Sequence, residues 1–309
     1  MQLGVHIGQQ TMSMDELRTT WRRFDDAGID WISIWDHLYE APPAGGTIDH
    51  FEAVATLGAL CADTSHARIG CLVFYVGYRN PALLAKAAST LDHISGGRFE
   101  LGLGAGWHEW EAAAFGYDFP SLGTRFDMLE EAVEIVTGML GRGRTTFSGS
   151  HFRTDDVANL PHPIQPKLPI WIGGIGEKRT LPLAARWADG WNAAYIPPGE
   201  YRRLNGVLDA ACERVDRDPA SIERTINLQF VVGVDEAEAE RVHAETVAFW
   251  GPLAERTMGG ALIGTPDQVV EQIDAYREAG APGVNIALRA PWSTEAIDAY
   301  LETVPPVFR

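Results

Sequence analysis

A chain of 309 residues, 46% hydrophobic and 22% charged, has the make-up of a globular protein and the length for a closed α/β barrel of roughly 250 residues with insertions. Its net charge of −17 argues against a general nucleic-acid or anionic-membrane surface, so an anionic ligand would need backbone amides or a few local Lys and Arg side chains. Cys61, Cys71 and Cys212 are odd in number and widely spaced, which fits a reducing cytoplasm, and neither a basic-then-apolar leader nor a run near ~20 apolar residues is evident.

Residues 2–8 read as a first strand. Ser13 suits the N-cap of a following helix, with Asp15 and Glu16 at the positive end of its dipole and Gly28 as its stop. The run 31–37, Trp-Ile-Ser-Ile-Trp-Asp-His, is a second strand whose charge appears only at its C-terminal end, and a helix is expected over 51–62. The stretch 69–76 is apolar and β-rich (Ile69, Leu72, Val73, Phe74, Val76) and makes strand three. Asn80 and Pro81 open a helix in which Leu83, Leu84, Ala87, Ala88 and Leu91 keep a helical period, until glycines 96 and 97 end it. Strand four, 99–103, runs into Gly102, Gly104 and Gly106, where missing side chains let something approach the backbone. A short helix over 109–115 and a longer one over 124–140 follow. Residues 142–168, with Pro161, Pro163 and Pro166, are too long for an ordinary connection and predict an ordered excursion or lid. Strand five is 169–174 with a helix over 177–187, strand six is 190–196 with a helix over 198–215, and strand seven is 226–234 with an acidic helix from 235. Thr265 and Pro266 open a capped helix, strand eight is 284–289, and a helix over 294–301 closes the chain.

Alternating strands and helices imply a parallel sheet, and eight such units imply a single (β/α)8 TIM barrel over 1–309, with an insertion around 142–168. A doubly wound sheet is the alternative, because alternation alone does not prove closure. In a barrel the functional face is the C-terminal end of the strands. That end collects Gln9 and Gln10, Asp36 and His37, residues 75–79, residues 104–109, residues 173–179, Trp191 and Asn192, and Arg289. Trp35, Phe74, Tyr75, Trp107 and Trp191 share it and suggest a wide pocket for a flat ring. Asp36 and His37 are either an acid/base pair or a turn cap beside a satisfied histidine. The turn Gly173-Gly-Ile-Gly-Glu-Lys-Arg is either a phosphate cradle at a helix start, with Lys178 or Arg179 nearby, or a plain tight turn. A metal on His37, His108, Asp36 and Glu109 is disfavoured, since neither pair has a recognised ligand spacing. Cys71, inside an apolar strand, reads as packed rather than nucleophilic.

Taken together, Ser33-Ile-Trp-Asp-His-Leu38, Tyr78-Arg-Asn-Pro-Ala-Leu-Leu-Ala-Lys86, Thr90-Leu-Asp-His-Ile-Ser-Gly-Gly-Arg98, Leu101-Gly-Leu-Gly-Ala-Gly-Trp-His-Glu109 and Pro169-Ile-Trp-Ile-Gly-Gly174 resemble the luciferase-like flavin and deazaflavin oxidoreductases. The chain is most similar to their coenzyme F420-dependent branch. The resemblance implies hydride transfer between F420 and a small organic substrate. It implies an isoalloxazine-like ring in the barrel mouth beside Asp36 and residues Cys71, Leu72, Val73 and Phe74. Gly104, Ala105 and Gly106 would line the ring as well, and the coenzyme's phosphate would sit at Gly173, Gly174, Ile175 and Gly176. His37 would stand near the reacting carbon and Glu109 would match an acid/base carboxylate. A non-proline cis peptide, often carried by the third strand of relatives, would match Cys71–Leu72. Some F420-dependent relatives bind sugar phosphates through basic residues at the mouth, where Arg289 is well placed without a full matching set. A cytoplasmic homodimer is expected. The alternatives are an FMN-dependent monooxygenase using reduced flavin and oxygen, a non-redox phosphate-binding barrel isomerase or lyase, and a non-catalytic coenzyme carrier.

Overall fold

The computed structural model describes residues 1–40 and 45–309. The chain runs β1 (Gln2–Ile7), α1 (Met14–Asp26), β2 (Trp31–Ile34), α2 (Ala53–Asp63), β3 (Arg68–Cys71), β4 (Phe74–Tyr75), α3 (Pro81–Ser95), β5 (Phe99–Gly104), α4 (Glu109–Ala114) and α5 (Leu122–Leu140). It continues through β6 (Arg144–Ser148), β7 (Arg153–Ala158), β8 (Ile170–Gly173), α6 (Thr180–Trp187), β9 (Gly190–Ala194), α7 (Pro198–Glu213), β10 (Glu223–Val232), α8 (Glu236–Trp250), α9 (Ala254–Met258), β11 (Ala261–Gly264), α10 (Pro266–Glu278), β12 (Gly283–Leu288) and α11 (Thr294–Phe308). Local chemistry sets the helix starts. Ser13 and Glu16 form a reciprocal capping box on α1, Thr265 and Gln268 do the same on α10, and Asn80 accepts from the Ala82 amide ahead of Pro81 in α3. Among the described residues no helix is long and apolar enough to cross a membrane.

Parallel pairing goes round as β12-β1-β2-β3-β5-β8-β9-β10 and returns to β12, so eight strands close a TIM barrel and the doubly wound alternative falls. The main hydrophobic core fills the space between the strands and the surrounding helices. Three elements differ from the sequence reading. Strand three is broken: β3 stops at Cys71, and β4 resumes at Phe74 against β5 alone. β11 was not expected; it pairs with the end of β10. α11 continues past residue 301 to Phe308, through Pro305 and Pro306, since Val304, Pro305 and Phe308 are buried against the core.

The excursion after α5 is the antiparallel hairpin β6–β7 followed by a proline-rich strap. Glu131 of α5 accepts the amides of Ser150, His151 and Phe152. The strap is tied to α3: Asn159 donates to Ser89, His162 meets His93, and Gln165 donates to Asp92. These ties place it along the α3–α5 flank, so the ordered excursion stands and a lid over the mouth does not.

Side chains pointing into the barrel form layers. At the N-terminal end Arg68 bonds Glu100, Glu223 and Gln2, Trp171 donates to Glu100 at 2.6 Å, and Trp31 lies 4.5 Å from the Trp171 ring. Above this, Asn192 donates to Thr225 and Asn227, Asn285 donates to Asn227, and His6 meets Ser33 at 2.9 Å. Arg68, Glu100 and Glu223 thus balance one another at this end. Burial nevertheless pushes the Glu100 carboxyl up to about 7, with Arg68 pulling the other way. The folded state therefore binds a proton that the unfolded chain has lost between its ordinary value of 4.5 and about 7. The stability this contributes is complete below that window and falls as pH rises through it. Urea unfolding of wild type and Glu100→Gln from pH 4.5 to 7 should show the wild type losing stability relative to the variant; parallel pH profiles would refute this account.

Candidate active site

The C-terminal mouth is organised by one carboxylate. Glu111, in the first turn of α4, is fully buried and sits against the loop that follows β2. Its Oε2 accepts from His37 Nδ1 at 3.0 Å, from the Leu38 amide at 3.0 Å and from the Tyr39 amide at 3.2 Å; its Oε1 accepts from the Tyr78 hydroxyl. Burial alone would raise this carboxyl. The hydrogen bond and charge of His37, the Tyr78 hydroxyl and the Tyr39 amide outweigh it and hold Glu111 at about 2. Burial and the same carboxylate push the Tyr78 phenol above its ordinary value. An ionised carboxylate only accepts, so His37 presents a proton on Nδ1 and keeps Nε2 for other work. The Trp107 ring meets His37 edge-on at 5.2 Å, and His108 stacks on Trp107.

Asp36 and His37 are neighbours in sequence but belong to different networks. Asp36 takes two bonds from Arg79, at 2.7 and 2.8 Å, and one from the Tyr75 amide, and Arg79 goes on to Glu52. Burial lifts the Asp36 carboxyl to about 6 against the pull of Arg79. The pair thus ties β2, β4 and α2 together. Two other histidines at this end are held neutral: His6 falls to about 3 by burial, Arg289 and His37, and His50, which accepts from Trp35 Nε1 at 2.9 Å, falls to about 4 by burial and the charge of His37.

The expected carboxylate, Glu109, is instead the exposed first residue of α4. The reason is an inverted exposure pattern. Trp107 is 60% and Trp110 53% exposed while Glu111 is 0%, so the face that meets the barrel is the one with the acid. Glu111 and its neighbour Ala112 are the two buried residues of α4, and nothing in the sequence alone singles Glu111 out.

The non-proline cis peptide is Leu72–Val73, one residue beyond the expected Cys71–Leu72. The Leu72 amide still donates to the Ile34 carbonyl at 2.9 Å, so Cys71–Leu72 belongs to the sheet ladder and the chain leaves it only afterwards. Leu72 then packs with Trp31 and Trp171. The Val73 side chain enters a cradle of glycines: a Cβ would stand 2.3 Å from it at Gly104, 2.7 Å at Gly173 and 3.2 Å at Gly102. The backbone approach that those glycines permit is therefore made first by the chain itself. Cys71 and Phe74 turn their side chains into the main core, and Trp191 stacks on Tyr201 there, so these three do not line the mouth. Gly106, at φ +70°, leaves room for the Tyr75 ring, and Ala105 offers its carbonyl to Arg125 at 3.1 Å.

At the turn after β8, Gly174 has φ +123° and donates to Asn192, and its carbonyl accepts from Trp191 at 2.7 Å. Thr180 crowds Gly176, 2.8 Å from where a Cβ would be. Among the described residues, the amides of Ile175 and Gly176 donate to no protein group, and both residues are exposed. Arg179 is held by Asp127 and Glu130, which leaves Lys178 as the exposed cation of the turn.

A parallel barrel with an oriented histidine and a glycine turn at its mouth defines a ligand-handling (β/α)8 protein. The model of the luciferase-like monooxygenase family matches residues 1–282, and the chain belongs to that family. It is 27% identical over 284 residues to the F420-dependent glucose-6-phosphate dehydrogenase of Microbacterium testaceum, covering 83% of this chain and 82% of the relative. It is 28% identical over 326 residues to the F420-dependent hydroxymycolic acid dehydrogenase of Mycobacterium tuberculosis, covering 99% and 88%. Among solved structures, an F420-dependent secondary alcohol dehydrogenase in complex with an F420-acetone adduct superposes with a TM-score of 0.86 at 21% identity, over 99% of this chain and 98% of that one.

The cradle makes a separable prediction. Gly104→Ala should destabilise by ~1–3 kcal/mol through overpacking against Val73, and the added change Val73→Ala should restore most of the loss. Gly102→Ala should not be rescued in this way, because its Cβ would also stand 2.0 Å from the Cys71 carbonyl oxygen. Urea unfolding of the single and double variants checks both halves.

Proposed function

We propose that this chain, as one barrel domain over 1–309, is a coenzyme F420-dependent oxidoreductase that transfers a hydride between F420 and a small organic substrate. The observation that carries the reading is the fully buried Glu111, which fixes His37 through Nδ1 and leaves Nε2 to exchange a proton. The F420-dependent relatives, similar over most of their length, support the choice of coenzyme.

The residues present fit such a group. The free amides of Ile175 and Gly176, with Lys178, would hold a phosphate. Leu72, Val73, Gly104, Ala105 and Gly106 would flank the ring, with Gly173 and Gly174 shaping the turn. When bound, F420 supplies a carbon that carries a hydride. The protein handles the proton: His37 Nε2 takes it from a substrate hydroxyl in oxidation and returns it in reduction, and Glu111 steadies the imidazolium. Tyr78 completes the solvation of Glu111. Asp36, held by Arg79, fixes the loop from which His37 projects. We assign Glu109 no part in proton transfer, since Glu111 occupies the position at His37. We also propose a small-molecule rather than nucleic-acid partner, and a cytoplasmic homodimer; the −17 charge supports the first, and three buried free cysteines support a reducing compartment.

F420 should bind with a measurable change in its absorbance and be reduced by an alcohol or, in reduced form, oxidised by an enone or imine. His37→Ala should cut kcat by ~10²-fold or more and Glu111→Gln by about tenfold, whereas Glu109→Gln should stay within about twofold. Binding of FMN in place of F420, with oxygen consumption by reduced flavin, would transfer the chain to the monooxygenase reading. Full activity in both His37→Ala and Glu111→Gln would remove the assigned roles.

A further inference from the structure

Arg289 stands one residue beyond β12 and on the inward side of the barrel, two positions after Ala287, which is level with His6 on β1 and Gln229 on β10. Its guanidinium lies between two indoles, 4.8 Å from the Trp35 ring and 4.9 Å from the Trp250 ring. Its Nε and Nη1 are buried, and among the described residues neither meets an acceptor. The Gln229 amide nitrogen is buried without a protein partner as well. Among the described residues, three other guanidiniums toward this end are taken: Arg79 by Asp36 and Glu52, Arg125 by the carbonyls of Ala105 and Pro120, and Arg179 by Asp127 and Glu130.

We propose that Arg289, wedged between Trp35 and Trp250 and assisted by the Gln229 amide, is the subsite for a single negative charge on the substrate, a carboxylate. Burying charged N–H groups such as Nε and Nη1 of Arg289 is costly unless they are matched. The two indole faces meet part of that cost and also hold the guanidinium in one place, with its N–H donors uncommitted. A carboxylate is the partner whose geometry the planar fork fits best. The charge count selects a monoanion. His6, a titratable neighbour that feels Arg289, is kept neutral by burial first and by Arg289 second, so it adds no positive charge. A phosphate dianion would leave one charge uncompensated. The substrate class is therefore a hydroxy acid or its oxo counterpart, with the reacting carbon toward His37 and the carboxylate toward β12. This deepens the oxidoreductase reading and rests on it for the word substrate.

The test uses benzoate and its neutral isostere benzamide, with phenyl phosphate as the dianion, titrated calorimetrically at fixed ionic strength into the protein with and without F420. Benzoate should bind wild type about tenfold or more tighter than benzamide. The preference should vanish in Arg289→Gln and survive in part in Arg289→Lys, which keeps the charge and loses the fork. Equal binding of benzoate and benzamide, including no binding of either, overturns the subsite, as does a preference unchanged in Arg289→Gln. Tighter binding of phenyl phosphate than of benzoate overturns the monoanion assignment. Failure of F420 itself to bind counts against the proposed function alone, because the benzoate titration of the coenzyme-free protein still reports on Arg289.

Discussion

A carboxylate removed from water must be solvated by the protein or give up its charge. Glu111 is solvated completely, and the elements that do it are drawn from separate parts of the chain. The loop after β2 gives two amides and an imidazole, the loop after β4 gives a phenol, and α4 gives the carboxylate. Satisfying one buried acid therefore fixes the relative positions of two loops and a helix at the barrel mouth. It also fixes the tautomer of the histidine most suited to proton transfer. These bonds hold Glu111 well below the usual carboxylate range, so the acid stays ionised and serves as a fixed acceptor for His37.

The fold was legible because its signals are local. Apolar runs mark the strands, and Ser13, Asn80 and Thr265 mark helix starts by chemistry that acts within three residues. Legibility failed where identity depended on something distant. The glycines at 102, 104 and 173 advertised a close approach, but only the folded chain shows that Val73 makes it. Glu109 and Glu111 differ by two positions, which on a helix is about half a turn. Only the packing of α4 against the β2 loop decides which of them faces His37, and the exposed Trp107 and Trp110 mislead any reading that buries the aromatic face. The shift of the cis peptide to Leu72–Val73 has a similar origin: the ladder bond of Leu72 to Ile34 belongs to β2, forty residues earlier in the chain by order of magnitude.

Asp36 shows how sequence adjacency can misassign partnership. An acid beside a histidine suggests a dyad, yet successive residues leaving a strand point to opposite sides. Asp36 is drawn to Arg79 and the Tyr75 amide, while His37 turns to Glu111. Two separate networks result, one built on the Asp36–Arg79 ion pair and one on the His37–Glu111 hydrogen bond.

The two ends of the barrel handle half-buried cations in opposite ways. At the foot Arg68 lies against the Trp31 ring, as Arg289 lies against Trp35 and Trp250 at the mouth. Arg68 is also given Glu100, Glu223 and Gln2, so its charge is balanced within the chain. Arg289 has the aromatic contact without the acids. The same side chain in the same kind of setting is thus inert at one end and available at the other, and the difference lies in two carboxylates. An enzyme that must place a small substrate needs one fixed point besides the reacting carbon. In the reaction proposed here, a guanidinium held against two indoles and matched by no residue of its own described chain is that point, on the side of the barrel formed by β12 and β1, and His37 is assigned the proton from the loop after β2.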